Sequence, residues 1–283
     1  PRPAGAVSAS VRLLAVPARR PAALVASIAL LLGAAACSGE RPTLAAGPPV
    51  TTSVTTTTEA TTTTAPPTTA PGPTEPTLGD PPYLVATALN DLDTVEVFDS
   101  PEAPEPDEAR SLATPNDSDR PQTMMGLSQG EGWLEVRLPI RPNGSTGWVR
   151  ESDVLVAPHD YRIHVDLSDH TLELHEGDEL LMDVPVGVGT GEWPTPPGVY
   201  YLWQLIRPTN DGYGPYAYAL SGFSDTLFEF AGGPGRLAIH GTNDESTVGS
   251  DVSHGCMRLR NADITRMVEE FGLPHGVPVL VTA

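Results

Sequence analysis

The sequence has 283 residues, with 16 basic and 36 acidic side chains, 2 cysteines and 31 prolines, for a formal net charge of −20. All 16 basic residues are arginine, which excludes a Schiff-base lysine, a phosphate-loop lysine and a Ser-Lys dyad, since each needs an amine. The acidity argues against nucleic acid as a partner, whose binders need a basic footprint, and two cysteines make neither a disulfide framework nor a cysteine-rich zinc site.

Residues 1–36 contain Arg2, Arg12, Arg19 and Arg20 and no acid. The Ala/Leu-rich run 22–36 is 15 residues long, short of the ~20 needed to cross a bilayer. A charged start, a short apolar stretch and small residues at its end predict a secretory signal. The run closes Gly33-Ala34-Ala35-Ala36-Cys37, and Cys37 resembles the lipidation site of bacterial lipoproteins. Ala34 stands where that pattern favours leucine, and Ala34-Ala35-Ala36 also fits ordinary cleavage. Each reading exports the protein. The favoured one anchors it by lipid to the outer face of the cytoplasmic membrane, reaching into the cell wall. Without that segment the chain has 12 basic and 36 acidic residues, a net charge of −24.

Residues 38–80 have almost no large apolar side chains, and twelve of the twenty residues 51–70 are threonine. Such a segment cannot bury enough apolar surface to offset its ordering entropy. It is expected to be a disordered tether, whose 43 residues reach roughly 130 Å if extended as polyproline II.

Order is expected from Tyr83. Alternating strands at 94–98 and 133–138 flank an acidic, proline-rich loop over 101–121, and a turn-dense run at 142–147 leads into Trp148-Val149 and a strand at 153–155. Five or so short strands predict a small barrel over 83–156. The stretch from Trp133 to Val149 resembles the end of a bacterial SH3-like domain; an all-β packing module with no ligand is the alternative.

Residues 160–283 form the second predicted domain. Period-two alternation at 162–167 and 171–174 around Ser168-Asp169-His170 predicts a hairpin. Further strands are expected at 180–188, 198–205 and 236–240. Ile264, Met267, Val268 and Phe271 predict a helix over 261–271, stopped by Gly272, and a last strand is expected at 277–281. The fold class is mainly β with one clear helix.

The chemistry concentrates in Ala238-Ile-His240-Gly241-Thr242 and Ser253-His254-Gly255-Cys256-Met257-Arg258. An exported protein that keeps an unpaired cysteine exposes it to oxidation, which suggests a use for Cys256. His254, Arg258 and Arg260 beside it are expected to lower the thiol pKa. Gly255 permits a tight turn, whose N–H groups would face a developing oxyanion. Either His254, on the same side of an extended stretch, or His240, from a separate strand, can serve as base; spacing does not separate them. A buried inert cysteine, or zinc on His240, His254 and Cys256, are the competing readings. Histidines 159, 164, 170, 175 and 275 read as turn or exposed-strand residues.

His240-Gly241-Thr242 followed, thirteen positions after His240, by Ser253-His254-Gly255-Cys256-x-x-Leu259 resembles the signature of the L,D-transpeptidase catalytic (YkuD-type) domain. Thr195-Pro-Pro-Gly198-Val-Tyr200 resembles that family's T-P-x-G-x-[FY] segment. The likeness covers about 160–283. It implies Cys256 as thiolate nucleophile, His240 as proton acceptor and donor, and His254 and Gly255 as shaping the site, with the Gly255 and Cys256 backbone on the oxyanion. Ser253 and Gly241 match motif positions and are expected to hold loop geometry next to the substrate. Many members have asparagine where this chain has Arg258, which would bind either a substrate carboxylate or an internal acid, the latter favoured. The stretch 211–223, with Tyr213, Tyr216 and Tyr218, reads as cover for the substrate groove, with Tyr218 a substrate contact, or equally as core.

The implied reaction is acyl transfer from a peptidoglycan stem peptide through a cysteine thioester to an amine of a neighbouring stem, giving a 3→3 cross-link. No metal or organic cofactor is called for, and carbapenem-type β-lactams would acylate Cys256. A hydrolytic L,D-carboxypeptidase on the same site and a non-catalytic wall-binding lipoprotein are the rivals.

Overall fold

The computed structural model describes residues 75–230 and 232–283. The export signal, the lipidation reading at Cys37 and most of the expected tether lie outside the described residues.

The first half of the described chain is a five-stranded antiparallel sheet built from β1 (Tyr83–Ala88), β4 (Thr123–Gly130), β5 (Trp133–Arg137), β6 (Thr146–Arg150) and β7 (Val154–His159), in the order β6-β5-β4-β1-β7. A two-stranded pair, β2 (Thr94–Val95) with β3 (Leu112–Ala113), lies beside it. Alternation does the sorting: in β5, Leu134 and Val136 are fully buried while Trp133, Glu135 and Arg137 are not, as period two requires. With Val95, Val97, Met124 and Val149 they form one apolar core. The expected 101–121 loop contains β3, a two-residue strand too short for alternation to reveal. Strand β7 runs on to His159, pairing with Tyr83.

An eight-stranded sheet dominates the second half, ordered β10-β9-β8-β17-β12-β13-β14-β16. Its strands are β8 (Tyr161–Asp166), β9 (Thr171–Glu176), β10 (Glu179–Pro185), β12 (Gly198–Ile206), β13 (Ala217–Phe223), β14 (Arg236–His240), β16 (Met257–Arg258) and β17 (Pro278–Thr282). Two short strands, β11 (Val188–Gly189) and β15 (Asp251–Ser253), pair in parallel outside it. The β8–β9 hairpin closes as the alternation predicted, with the Asp166 carboxylate accepting the Ser168 and Asp169 N–H groups at 2.9 Å each. The predicted helix forms as α1 (Asn261–Thr265), continues as a π-type turn over Arg266–Glu270, and ends before Gly272 at φ +59°. Its apolar stripe, Ile264 and Met267, is fully buried against the main core.

Strand β13 was not anticipated from the sequence. All seven residues are buried, so no polar–apolar alternation marks it, as for any strand covered on both faces. It lies between β12 and β14 and thereby holds the strand that carries His240. The two halves pack together: Met125 joins an apolar cluster with Tyr201, Trp203 and Ala219, and the Tyr201 hydroxyl donates to the Thr123 carbonyl at 3.1 Å.

Candidate active site

His240 is the last residue of β14 and is 3% exposed. Strand β16 pairs in parallel with β14, Ile239 opposite Met257 and His240 opposite Arg258, so Cys256, the residue before β16, is delivered beside the histidine strand. His240, Cys256, Arg258, His254, Tyr213 and Phe230 line one cavity of about 300 Å³. The topology thus joins the two motifs that the sequence holds apart.

The turn carrying Cys256 is tied from inside. The Gly255 N–H donates to Ser253 Oγ at 3.0 Å, and that hydroxyl donates to the Cys256 carbonyl at 2.6 Å. From the T-P-x-G segment, Thr195 Oγ1 accepts the Gly189 N–H at 2.9 Å and donates to the Gly255 carbonyl at 3.0 Å. Gly255 sits at φ +108°, a conformation that residues with a Cβ rarely adopt. Both Ser253 and Thr195 are buried, at 1% and 3% exposure, so their bonds are made out of competition with water.

These bonds revise the expected oxyanion pair. The Gly255 N–H is bonded to Ser253 Oγ and so is not free for that role. Ser253 meets the cavity wall, whereas Gly241 lies behind His240 and donates its N–H to the Tyr216 carbonyl at 3.2 Å.

His240 Nδ1 lies 2.5 Å from the Gly241 carbonyl oxygen. A carbonyl only accepts, so Nδ1 carries the proton and Nε2 keeps its lone pair. Burial, the largest influence, lowers the imidazole pKa to about 4; the Gly241 bond opposes this, and the Arg258 charge adds to it. Burial also raises the Cys256 thiol above its ordinary value, outweighing a backbone hydrogen bond with Ala238 and the Arg258 charge, both of which lower it. The expected lowering of the thiol pKa by its arginines is therefore corrected: desolvation of a thiolate exceeds what one neighbouring cation returns. Both shifts disfavour the charged forms, thiolate and imidazolium.

His254 is exposed, its ring tilted against Trp193 at 4.2 Å and Phe230 at 5.2 Å between centroids. Tyr213 lies 4.7 Å from the His240 ring, and its pKa is raised by burial and by Cys256. The 211–223 stretch thus divides. Tyr213 walls the cavity, while Tyr218 is fully buried with its hydroxyl donating to the Leu273 carbonyl at 3.2 Å; Tyr218 is a core residue and not a substrate contact. Nor are His159 and His275 exposed: burial lowers the pKa of both, and His275 Nε2 accepts the Leu205 N–H at 3.1 Å.

Arg258 lines the cavity with its backbone N–H and carbonyl both bonded to Gly187, at 2.7 and 2.9 Å. Its buried Nε has no partner, and no carboxylate among the described residues forms an ion pair with it. The internal-acid reading of Arg258 finds no acid. Trp193, Thr195 and Phe230 are the site residues that sequence reasoning left without a role. Thr195 alone had a signal, as the first residue of the quoted T-P-x-G segment. Among the described residues no group of three or more His, Cys, Asp or Glu side chains is arranged to hold a metal ion.

Residues 160–281 match the family model of the L,D-transpeptidase catalytic domain, YkuD. The YkuD protein of Bacillus licheniformis is 36% identical over 123 residues, covering 43% of this chain and 66% of that protein. YkuD of Bacillus subtilis is 28% identical over 121 residues, 43% of this chain and 65% of the relative. Both relatives carry the L,D-transpeptidase name, and the chain spans just under two thirds of their length. Among solved structures, the chain is similar to an L,D-transpeptidase from Mycobacterium smegmatis at TM-score 0.35 and 15% identity, covering 57% of this chain and 90% of that one. It is also similar to one from Mycobacterium tuberculosis at TM-score 0.36 and 18% identity, covering 51% and 75%.

Proposed function

We propose that this protein is a peptidoglycan L,D-transpeptidase that forms 3→3 cross-links through a Cys256 acyl-enzyme. The observation that carries the reading is the cavity shared by a partly exposed cysteine and a buried histidine, whose Nε2 keeps its lone pair because Nδ1 is bonded to Gly241.

The chemistry follows from that pair, taken in its neutral form. Cys256 Sγ attacks the carbonyl carbon of the third stem residue as its proton passes to His240 Nε2. A buried imidazole of low basicity takes that proton only as negative charge develops beside it, so transfer is coupled to attack. The oxyanion is held by the Cys256 N–H. The carbon–nitrogen bond to the terminal D-alanine then breaks, and His240 Nε2 gives the proton to the departing amine. A neutral side-chain amine from a second stem attacks the thioester and loses a proton to His240 Nε2. The carbon–sulfur bond breaks, and the departing thiolate recovers the proton from His240. The attacking amine comes from the substrate, since the chain has no lysine.

Arg258, without a protein acid, is assigned to a substrate carboxylate. Export, lipid attachment at Cys37 and an SH3-like role for 83–156 belong to the same proposal, as they would place the site at its substrate. Acylation of Cys256 by carbapenem-type β-lactams belongs to it too. Mixing the protein with a disaccharide tetrapeptide and analysing products by mass spectrometry tests it. A 3→3 dimer is expected. Tripeptide alone would make the protein an L,D-carboxypeptidase, and unchanged tetrapeptide with Cys256 intact would overturn both.

A further inference from the structure

The loop joining β13 to β14 supplies Leu227, Phe230 and Gly235 to the wall of the cysteine cavity. Its own bonds are few. The Ser224 N–H meets the Gly235 carbonyl at 2.8 Å, Phe230 and Gly233 exchange bonds at 2.9 Å, and Ser224 Oγ accepts the Leu227 N–H at 3.1 Å. Apolar burial does not hold it, for Phe228 is 70% exposed and Phe230 40%.

What holds it comes from the other half of the molecule. Arg141, in the turn between β5 and β6, donates from Nη1 to the Ser224 carbonyl at 2.9 Å and from Nη2 to those of Pro234 at 3.0 Å and Leu227 at 3.4 Å. Ser224 and Pro234 lie on opposite limbs of the loop, so one planar guanidinium bridges its base, which a single ammonium on a flexible stem does poorly. The same guanidinium lies 4.7 Å from the ring centroids of both Phe223 and Phe228, within cation–π range. Two residues on, Asn143 Nδ2 donates to the Phe223 carbonyl at 2.7 Å and Oδ1 accepts the Phe223 N–H at 2.9 Å. Its amide thus pairs with the end of β13 as a neighbouring strand would, and Nδ2 also reaches Asp225 Oδ1 at 3.2 Å. The limbs meet closely: Gly235 is at φ +69°, and a Cβ there would fall 1.9 Å from the Leu227 carbonyl oxygen.

We propose that Arg141 and Asn143 are positioning residues, through which the N-terminal β module holds the 224–235 loop as the wall of the cysteine cavity. The module then acts on the site by setting the loop that places Phe230 against His254. The kinetic consequence rests on the acyl-transfer reading above; the structural one does not.

The test uses the full chain and the variants Arg141→Ala, Arg141→Lys and Asn143→Ala. Hydrogen exchange followed by mass spectrometry is expected to quicken about tenfold or more in peptides over 224–235 for Arg141→Ala, with β12 and β17 unchanged, because charge-assisted bonds to three carbonyls are lost. Arg141→Lys is expected to restore less than half of that protection, and Asn143→Ala to loosen the loop less than Arg141→Ala. If the wild type cross-links tetrapeptide, Arg141→Ala is expected to raise KM more than it lowers kcat. Unchanged loop exchange, or equal quickening in β12 and β17, overturns the proposal. Quickened loop exchange in a chain that shows no cross-linking leaves it standing and removes only the acyl-transfer reading.

Discussion

His240 Nδ1 approaches the Gly241 carbonyl oxygen to 2.5 Å, and this contact decides the tautomer of the ring. With Nδ1 protonated, Nε2 keeps the lone pair that the proposed reaction uses as its base, and the ring is held by its neighbour in the chain. The same contact partly offsets the burial that otherwise disfavours the imidazolium.

The first prediction concerns stability. His240 has a folded pKa near 4 against an ordinary 6.5, so between those values the unfolded chain binds more protons at this residue. Its contribution is present above pH 6.5 and is lost as pH falls toward 4, by up to about 3 kcal/mol. Urea unfolding at pH 7 and pH 4.5 should show a smaller loss in His240→Gln than in wild type. Equal losses would show that His240 is not buried neutral.

The second concerns the thiol. Because burial raises the Cys256 pKa above its ordinary value, alkylation by iodoacetamide is expected to keep climbing as pH rises, without levelling near neutrality. A plateau between pH 6 and 8 would instead indicate a standing thiolate–imidazolium pair.

The third concerns Thr195. Replacing Thr195 by Val keeps the shape but strands the Gly189 N–H and the Gly255 carbonyl, both of which its hydroxyl satisfies. A loss of about 1–3 kcal/mol is expected, read as a lower melting temperature, together with reduced kcat because the Cys256 turn loosens. Wild-type stability and turnover in Thr195→Val would show that Ser253 alone holds the turn.

The fourth concerns Arg258. Arg258→Gln is expected to raise KM about tenfold for a stem peptide with a free carboxylate, the scale of one charge-assisted contact. It should have little effect on the same peptide amidated at that carboxylate. Equal losses with both would give Arg258 a structural role.

Much of the fold was legible because half-buried strands announce themselves. Leu134 and Val136 in β5, and the alternating faces of β8 and β9, each require period-two spacing. Strand β13 was illegible for the converse reason, being covered on both sides, and β3 because two residues make no period. At the site, Cys256, His240 and His254 stood out by residue type, while Ser253 and the preference for His240 came only with the family resemblance. Trp193 and Phe230 did not stand out, since an aromatic residue in a loop reads the same whether it lines a cavity or packs at random.

By itself the sequence determined the chemical inventory: one cysteine in the β-rich domain, histidines near it in the chain and in a separate strand, and no lysine side chain. The tertiary structure decided how that inventory is used. It set His254 between two rings at the cavity wall, committed the Gly255 N–H to Ser253, left Arg258 without an acid among the described residues, and raised the thiol pKa where local charge alone pointed downward. It also brought Arg141 onto a loop more than 80 residues away. The physical reason is common to all of these: desolvation and hydrogen-bond partnership depend on what folds over a residue from distant parts of the chain, and spacing along the chain carries no record of that.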